Sequence, residues 1–419
     1  MRDEMKKVPR LRFRGFQEDW ELCKVKDFLI ESKIKGSNGK IAKKLTVKLW
    51  RKGIVAKEEV YEGSLATQYY VRKSGQFMYG KLDFLNQAFG IVPIELDGYE
   101  STVDSPSFDF KPLVDSVFFL EYVSLEKFYK YQGNIANGSR KAKRIHVETF
   151  FNMPLPTPSY KEQQKIGTLF KQLDDTITLH QRKLYQLKEL KKAYLKAMFV
   201  SMNTKNNKVP KLRFTDFEGD WEHRKLDDSI KVMDGDRGAN YPHDTDFFKD
   251  GDTLFLDTGN VTKNGFKFDS VKYITNEKDE QLRAGKLEKN DFVLTSRGTL
   301  GNVGFYDEVV YNLHPKIRIN SAMLILRNTD EQLSYSYLHT LLKGQLISDF
   351  MKKNQVGSAQ PHITKSEFLK LNLNVPCNIN EQNKIGNFFK SLDVTITLHQ
   401  NKLEQLKDLK TSYLQNMFI

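Results

Sequence analysis

Two stretches of this chain carry the same alternation of apolar and polar positions. In the first, apolar or semi-apolar residues fall at Ile166, Phe170, Leu173, Ile177, His180, Leu184, Leu187, Tyr194 and Met198. In the second they fall at Ile385, Phe389, Leu392, Ile396, His399, Leu403, Leu406, Tyr413 and Met417. Steps of three and four alternate, and one lysine interrupts each series, Lys191 or Lys410. Such a seam predicts two long helices of the coiled-coil kind. Neither stretch contains proline, whereas Pro154, Pro156 and Pro158 precede the first and Pro376 the second, as helix boundaries. At ~1.5 Å per residue each helix would run for roughly 57 Å. A lone helix of that length would leave its seam in water. The economical solution is an antiparallel pair within the chain, with one globular block near each end and a pseudo-twofold axis between the halves. The alternative is that each helix packs on another subunit. His180 and His399 read as hydrogen-bonded seam residues, because neither helix offers further converging metal ligands.

The two helices are copies. Glu162–Phe199 returns as Glu381–Phe418 with 26 of 38 positions identical. An opening segment is also duplicated: VPRLRFRGFQEDWELCKVKDF, from Val8, returns as VPKLRFTDFEGDWEHRKLDDS, from Val209, with 11 of 21 positions identical. Each half is therefore a constant opening, a variable globular block and a constant closing helix. A period of this size implies tandem duplication of whole domains rather than a solenoid. The domains expected are 1–158 and 201–376 for the globular parts, with helices over 159–200 and 377–419.

The variable blocks look largely unrelated in sequence. Both show short strand-like runs, at Lys44–Trp50, Tyr69–Val71, Gly90–Ile94, Thr253–Leu256, Phe292–Leu294, Ala322–Leu326 and Leu371–Val375, separated by glycine-rich turns. The fold class is α+β: two mixed α/β domains joined by two long antiparallel coiled-coil helices.

Several loops carry chemistry suited to nucleic acid. In the first block, Ser139, Arg140, Lys141, Lys143 and Arg144 put four cations beside the Asn137-Gly138 turn. Arginine can fork onto guanine, while lysine and serine can hold phosphates. At the matching place the second block has GSAQPHIT, where Gln360 and His362 could reach base edges. TSRGTLGNVGF supplies Ser296 and Arg297, and DGDRGANYP supplies Arg237, Asn240 and Tyr241. Arg72, Lys81 and Asn86 are interleaved with aromatics, which suits nucleic acid but equally an ordinary sheet face.

Composition adds the partner's sign. Among 419 residues, 66 Lys+Arg face 53 Asp+Glu, a net charge of +13, which favours a polyanion. Hydrophobic residues at 39% suffice for sizeable cores. Two cysteines give neither a disulfide framework nor a zinc cluster. No apolar run approaches bilayer length and the amino terminus lacks a signal-peptide core, so a soluble cytoplasmic protein is expected, with no membrane partner. There is no ATP-binding loop, no adenine-methylation motif, no nucleotide-cofactor fingerprint and no HExxH. No catalytic and no metal-binding residue is expected.

The LRFxxFxxxWE openings at Leu11–Glu21 and Leu212–Glu222, with the twin EQxKIGxxFKxLDxTITLHQxKLxQLKxLKxxYL helices, resemble the specificity subunits of type I restriction–modification enzymes over essentially the whole chain. TSRGTLGNVGF and GSAQPHIT also look like elements of that family's target-recognition domain, from which the Arg140–Arg144 loop departs. The resemblance implies two target-recognition domains, each reading half of a split, asymmetric site in double-stranded DNA. The helices would act as a ruler between them and as docking sites for two modification subunits. Those partners would carry S-adenosylmethionine and methylate adenine, and restriction subunits would add ATP- and Mg-dependent translocation and cleavage. The rival reading is a coiled-coil scaffold with two sensor domains, which a salt titration of DNA binding separates from a reader.

Overall fold

The computed structural model describes residues 8–58, 64–135, 144–200, 208–357 and 361–419. The chain divides into two compact units, Met1–Arg182 with Asn401–Ile419, and Lys183–Gln400. The seams produce the expected helices, Tyr160–Ala197 and Ile379–Asn416, so each unit takes part of both. Among the described residues no helix is long and apolar enough to cross a membrane.

In the first unit the opening strand Glu21–Lys24 pairs antiparallel with Pro154–Thr157, directly before the helix. Pro154 and Pro156 are two residues apart, so both can sit where a strand N–H would point away from its neighbour. The second unit repeats the pair as Glu222–Lys225 with Asn372–Val375.

The variable blocks share a sheet that their sequences conceal. In the first unit four antiparallel strands run in the order Leu29–Ser32, Ser107–Phe110, Phe77–Tyr79, Phe89–Ile91. In the second the order is Ile230–Asp234, Met323–Asn328, Phe292–Thr295, Val303–Phe305. The same topology is filled by different cores. The first is aromatic, with Phe77 stacked on Phe150 and Tyr79 on Phe108. The second is chiefly aliphatic, around Ile230, Val232, Leu294, Val303, Leu324 and Leu326. A second sheet in that unit places Thr253–Leu256 between Lys272–Ile274 and a parallel neighbour, Ile317–Ile319.

Within each unit the helix segments lie antiparallel. In the first unit Phe170 meets Phe418 while Asp174, one turn on, meets Lys410. In the second, Lys191 meets Asp393 and Tyr194 meets Phe388. The two lysines that interrupt the seam are thus its ion pairs, each reaching an aspartate of the other helix. Ile166, Phe170, Leu173, Ile177, Ile385, Phe389, Ile396, Leu403 and Leu406 are buried, whereas Leu184, Leu187 and Leu392 are half-buried. The opening tryptophans follow the same exchange. Trp20 packs edge-on against Phe418, and Trp221 against Phe199, the equivalent phenylalanine of the other helix.

Candidate nucleic-acid interface

In the second unit three separated segments gather at the turn Asn320-Ser321-Ala322. The N–H groups of Ser296 and Arg297 both donate to the Ala322 carbonyl, at 2.9 and 3.2 Å. Arg237 Nη2 donates to the Ser321 carbonyl at 3.2 Å and to Asp234 at 3.3 Å. His362 is brought in by backbone bridges to Arg297 and to Val356. Gly235 makes the approach possible, since a Cβ there would stand 2.2 Å from the Asn320 carbonyl oxygen. The loop after Phe292–Thr295 is held from inside: Asn302 N–H donates to Thr295 Oγ1 at 2.9 Å, and Asn302 Nδ2 to the Val261 carbonyl at 2.9 Å. The result is a fixed edge with Arg237 and Arg297 exposed and His362 half-buried.

The first unit builds its corresponding edge with the same hydrogen bond. Ile145 N–H donates to the Lys81 carbonyl at 3.0 Å, as Ile363 N–H donates to the Ser296 carbonyl at 2.9 Å. Tyr79 Oη donates to the Ile145 carbonyl at 3.0 Å and pins the strand end from the core. Arg144 then reaches Asp104 at 3.1 Å. Burial pushes the Lys81 ammonium down from the usual lysine range; Asp104 opposes this and Arg144 adds to it. Glu31 also offsets the Lys81 charge, and Arg144 pairs with Asp104, so this edge presents two neighbouring cations of the kind that suit phosphate oxygens. Ser139, Arg140, Lys141 and Lys143, and Gln360 of the second unit, lie outside the described residues.

Other expected contacts do not join these edges. Arg72 is 2% exposed, and its guanidinium donates to Ser101 Oγ at 2.7 Å and Ser107 Oγ at 2.9 Å. Burial lowers its pKa to about 10. It ties the sheet together and is not available to DNA, which corrects the sequence expectation. Ser296 is likewise buried; it contributes backbone, and its side chain does not face solvent. Tyr241 is half-buried with its ring edge-on to Phe255 at 5.9 Å, a core role. Asn240 is exposed but donates to the Gln281 carbonyl at 3.3 Å, away from the Ser321 turn. Asn86 is half-buried in the turn with Asp83. Sequence reading missed Lys263 and Lys352. These exposed cations line a groove of about 260 Å³ with Gly301 and Asn302. Three distant segments supply this groove, and no local motif marks it.

Duplicated α+β units with an antiparallel helix pair, each presenting a fixed cationic edge, define a class of paired recognition modules. Residues 100–189 and 218–408 match the family model for the type I restriction modification DNA specificity domain, more than half of the chain, and the chain belongs to that family. It is similar to the EcoBI specificity subunit of Escherichia coli, with 24% identity over 307 residues, covering 68% of this chain and 62% of that protein. In fold it resembles the type I restriction–modification S subunit of M. genitalium (TM-score 0.60, 12% identity, 98% of this chain and 99% of that one). It also resembles a chain from a structure of the type I R-M system (TM-score 0.53, 13% identity, 97% and 99% covered).

Proposed function

We propose that this chain is the cytoplasmic DNA-reading subunit of a type I restriction–modification complex. Each unit reads one half of a bipartite, asymmetric site in double-stranded DNA. The chain directs two modification subunits to methylate adenine, and restriction subunits to cleave unmodified DNA. Catalysis belongs to those partners, which carry S-adenosylmethionine, ATP and Mg; this chain contributes position and choice. The observation that carries the reading is the repeated edge. Two blocks with unlike sequences build the same loop anchor, Lys81 to Ile145 and Ser296 to Ile363, and then present different side chains beside it. Equal scaffolds with unequal surfaces suit two different half-sites. Base-edge readout would fall to Arg297, Arg237, His362 and Arg144, and phosphate holding to Lys81, Lys263 and Lys352.

A salt titration of duplex binding by the assembled complex tests it. A reader that neutralises several phosphates loses affinity steeply as salt rises, with a log–log slope near −0.9 per phosphate. A scaffold without a DNA role gives no such slope.

A further inference from the structure

The opening segment folds onto the closing helix in the same way in both units. Arg12 forks onto Glu162 at 2.7 and 2.8 Å, and Arg213 onto Glu381 at 2.7 and 2.7 Å. Close by on each helix a lysine lies over two phenylalanines. Lys165 Nζ is 6.0 and 5.2 Å from the ring centres of Phe13 and Phe16. Lys384 Nζ is 5.9 and 5.2 Å from those of Phe214 and Phe217.

The two copies differ in what meets the ammonium. In the second unit Asp216, between the two phenylalanines in sequence, takes Lys384 at 2.5 Å. In the first unit the equivalent residue is Gly15, and its φ of +95° disfavours any side chain there. Among the described residues no carboxylate meets Lys165. The neighbouring position differs too. Phe388 packs edge-on to Tyr194 at 5.1 Å and to Phe214 at 6.3 Å. Its counterpart, Leu169, is smaller and lines an open groove of about 830 Å³ with Phe13, Phe16, Arg14, Lys161 and Lys165. Arg14 and Lys161 stand where the second unit has Thr215 and Asn380. Among the described residues the lining holds three cations and no acid.

We propose that this groove receives an acidic segment of a partner protein, one carboxylate seating on Lys165 as Asp216 seats on Lys384, with an adjoining apolar side chain against Phe13, Phe16 and Leu169. The duplicate shows which anion this lysine geometry accepts. The ring walls favour a peptide over a sugar–phosphate backbone, which has no apolar side chain to place there. The surface is separate from the loop edges assigned to DNA, so it stands or falls independently of that reading.

The test uses the full chain and a fluorescein-labelled peptide of alternating Asp and Leu, with anisotropy as the readout. The expected result is one saturable site. Lys165→Gln, and separately the double change R14T/K161N, weaken it about tenfold or more, which is about 1.4 kcal/mol. Lys384→Gln leaves it unchanged, and the double variant D216N/F388L adds a second site that is weaker by about tenfold or more, because Thr215 and Asn380 stand there in place of Arg14 and Lys161. A random-sequence duplex is titrated in parallel. Absence of saturable peptide binding, or binding indifferent to Lys165→Gln, overturns the proposal. So does a Lys165→Gln variant that loses duplex affinity while keeping peptide affinity, since the groove would then hold phosphate.

Discussion

The ammonium of Lys410 lies 2.6 and 2.7 Å from the two carboxylate oxygens of Asp174. It also reaches Glu121 at 3.3 Å, and Glu121 is held bidentately by Arg51 at 2.6 and 2.7 Å. The buried carboxylate is thus shared by a cation from the recognition block and one from the closing helix. The duplicate pair, Lys191 with Asp393, joins the helices of the second unit, and among the described residues no counterpart of Glu121 pairs with Lys191. Lys410→Met leaves Glu121 and Asp174 short of one cation. The expected cost is about 1–3 kcal/mol, read from urea unfolding. Asp174→Asn costs less alone, because Asp174 is 43% exposed on its side chain. A double-mutant cycle between the two isolates their coupling.

The units respond differently to acid. His339 stacks near Phe292 and Phe305, at 6.0 and 5.6 Å. Burial first, and then Lys343, push its pKa down to about 4. The imidazole stays neutral in the folded unit while the unfolded chain takes up a proton below about 6.5. Stability is therefore full above that pH and falls toward pH 4, by at most about 1.4 kcal/mol per pH unit. Glu121 behaves otherwise. Burial works to raise its pKa, but the hydrogen bonds and charge of Arg51, with Lys410, outweigh it and hold it below the usual value of 4.5. Its contribution is present above 4.5 and is lost only at lower pH. Unfolding followed against pH should show a loss beginning near 6.5 that His339→Gln reduces, the remainder belonging to His314, whose pKa burial also lowers, and a separate loss below 4.5 that it leaves in place.

Arg297 and Arg144 occupy corresponding edges of different units. Arg297→Ala should weaken protection of one half-site only, and Arg144→Ala the other only, each by about 1–3 kcal/mol. Footprinting of each variant complex reads this directly. Loss at the opposite half-site counts against the assignment.

Arg72→Ala should act on folding. It leaves Ser101 and Ser107 without their buried donor, with an expected cost of about 1–3 kcal/mol or more. The salt slope of DNA binding should be unchanged, whereas a phosphate-contacting lysine such as Lys352, changed to Ala, should lower it by about 1.

The long helices, the duplication and the family were legible because a coiled-coil seam is a local, periodic signal and the copies could be read against each other. Each of the seven strand-like runs overlaps a strand, with bounds shifted by a residue or more in most of them. The shared four-stranded sheet was not legible, since aromatic residues such as Phe77 and Phe108 fill one copy and aliphatic residues such as Leu294 and Leu324 the other. Ser107–Phe110, a central strand, is too short and too close to Pro106 and Pro112 to stand out. At the candidate sites, exposure was the missing quantity. Arg72 and Arg297 look alike in sequence, yet one is enclosed by serine hydroxyls and the other projects from a turn. Asp174 offered no visible partner because Lys410 lies 236 residues away.

The central claim is that two separable reading surfaces, one per unit, choose the site. Adenine methylation mapped across a genome, in cells holding the partner subunits, tests it with a chimaera in which residues 230–375 are replaced by the block of another family member. The account predicts that one half of the methylated sequence changes while the other half and the gap persist. A methylation pattern that is unaltered, or altered in both halves, would contradict it.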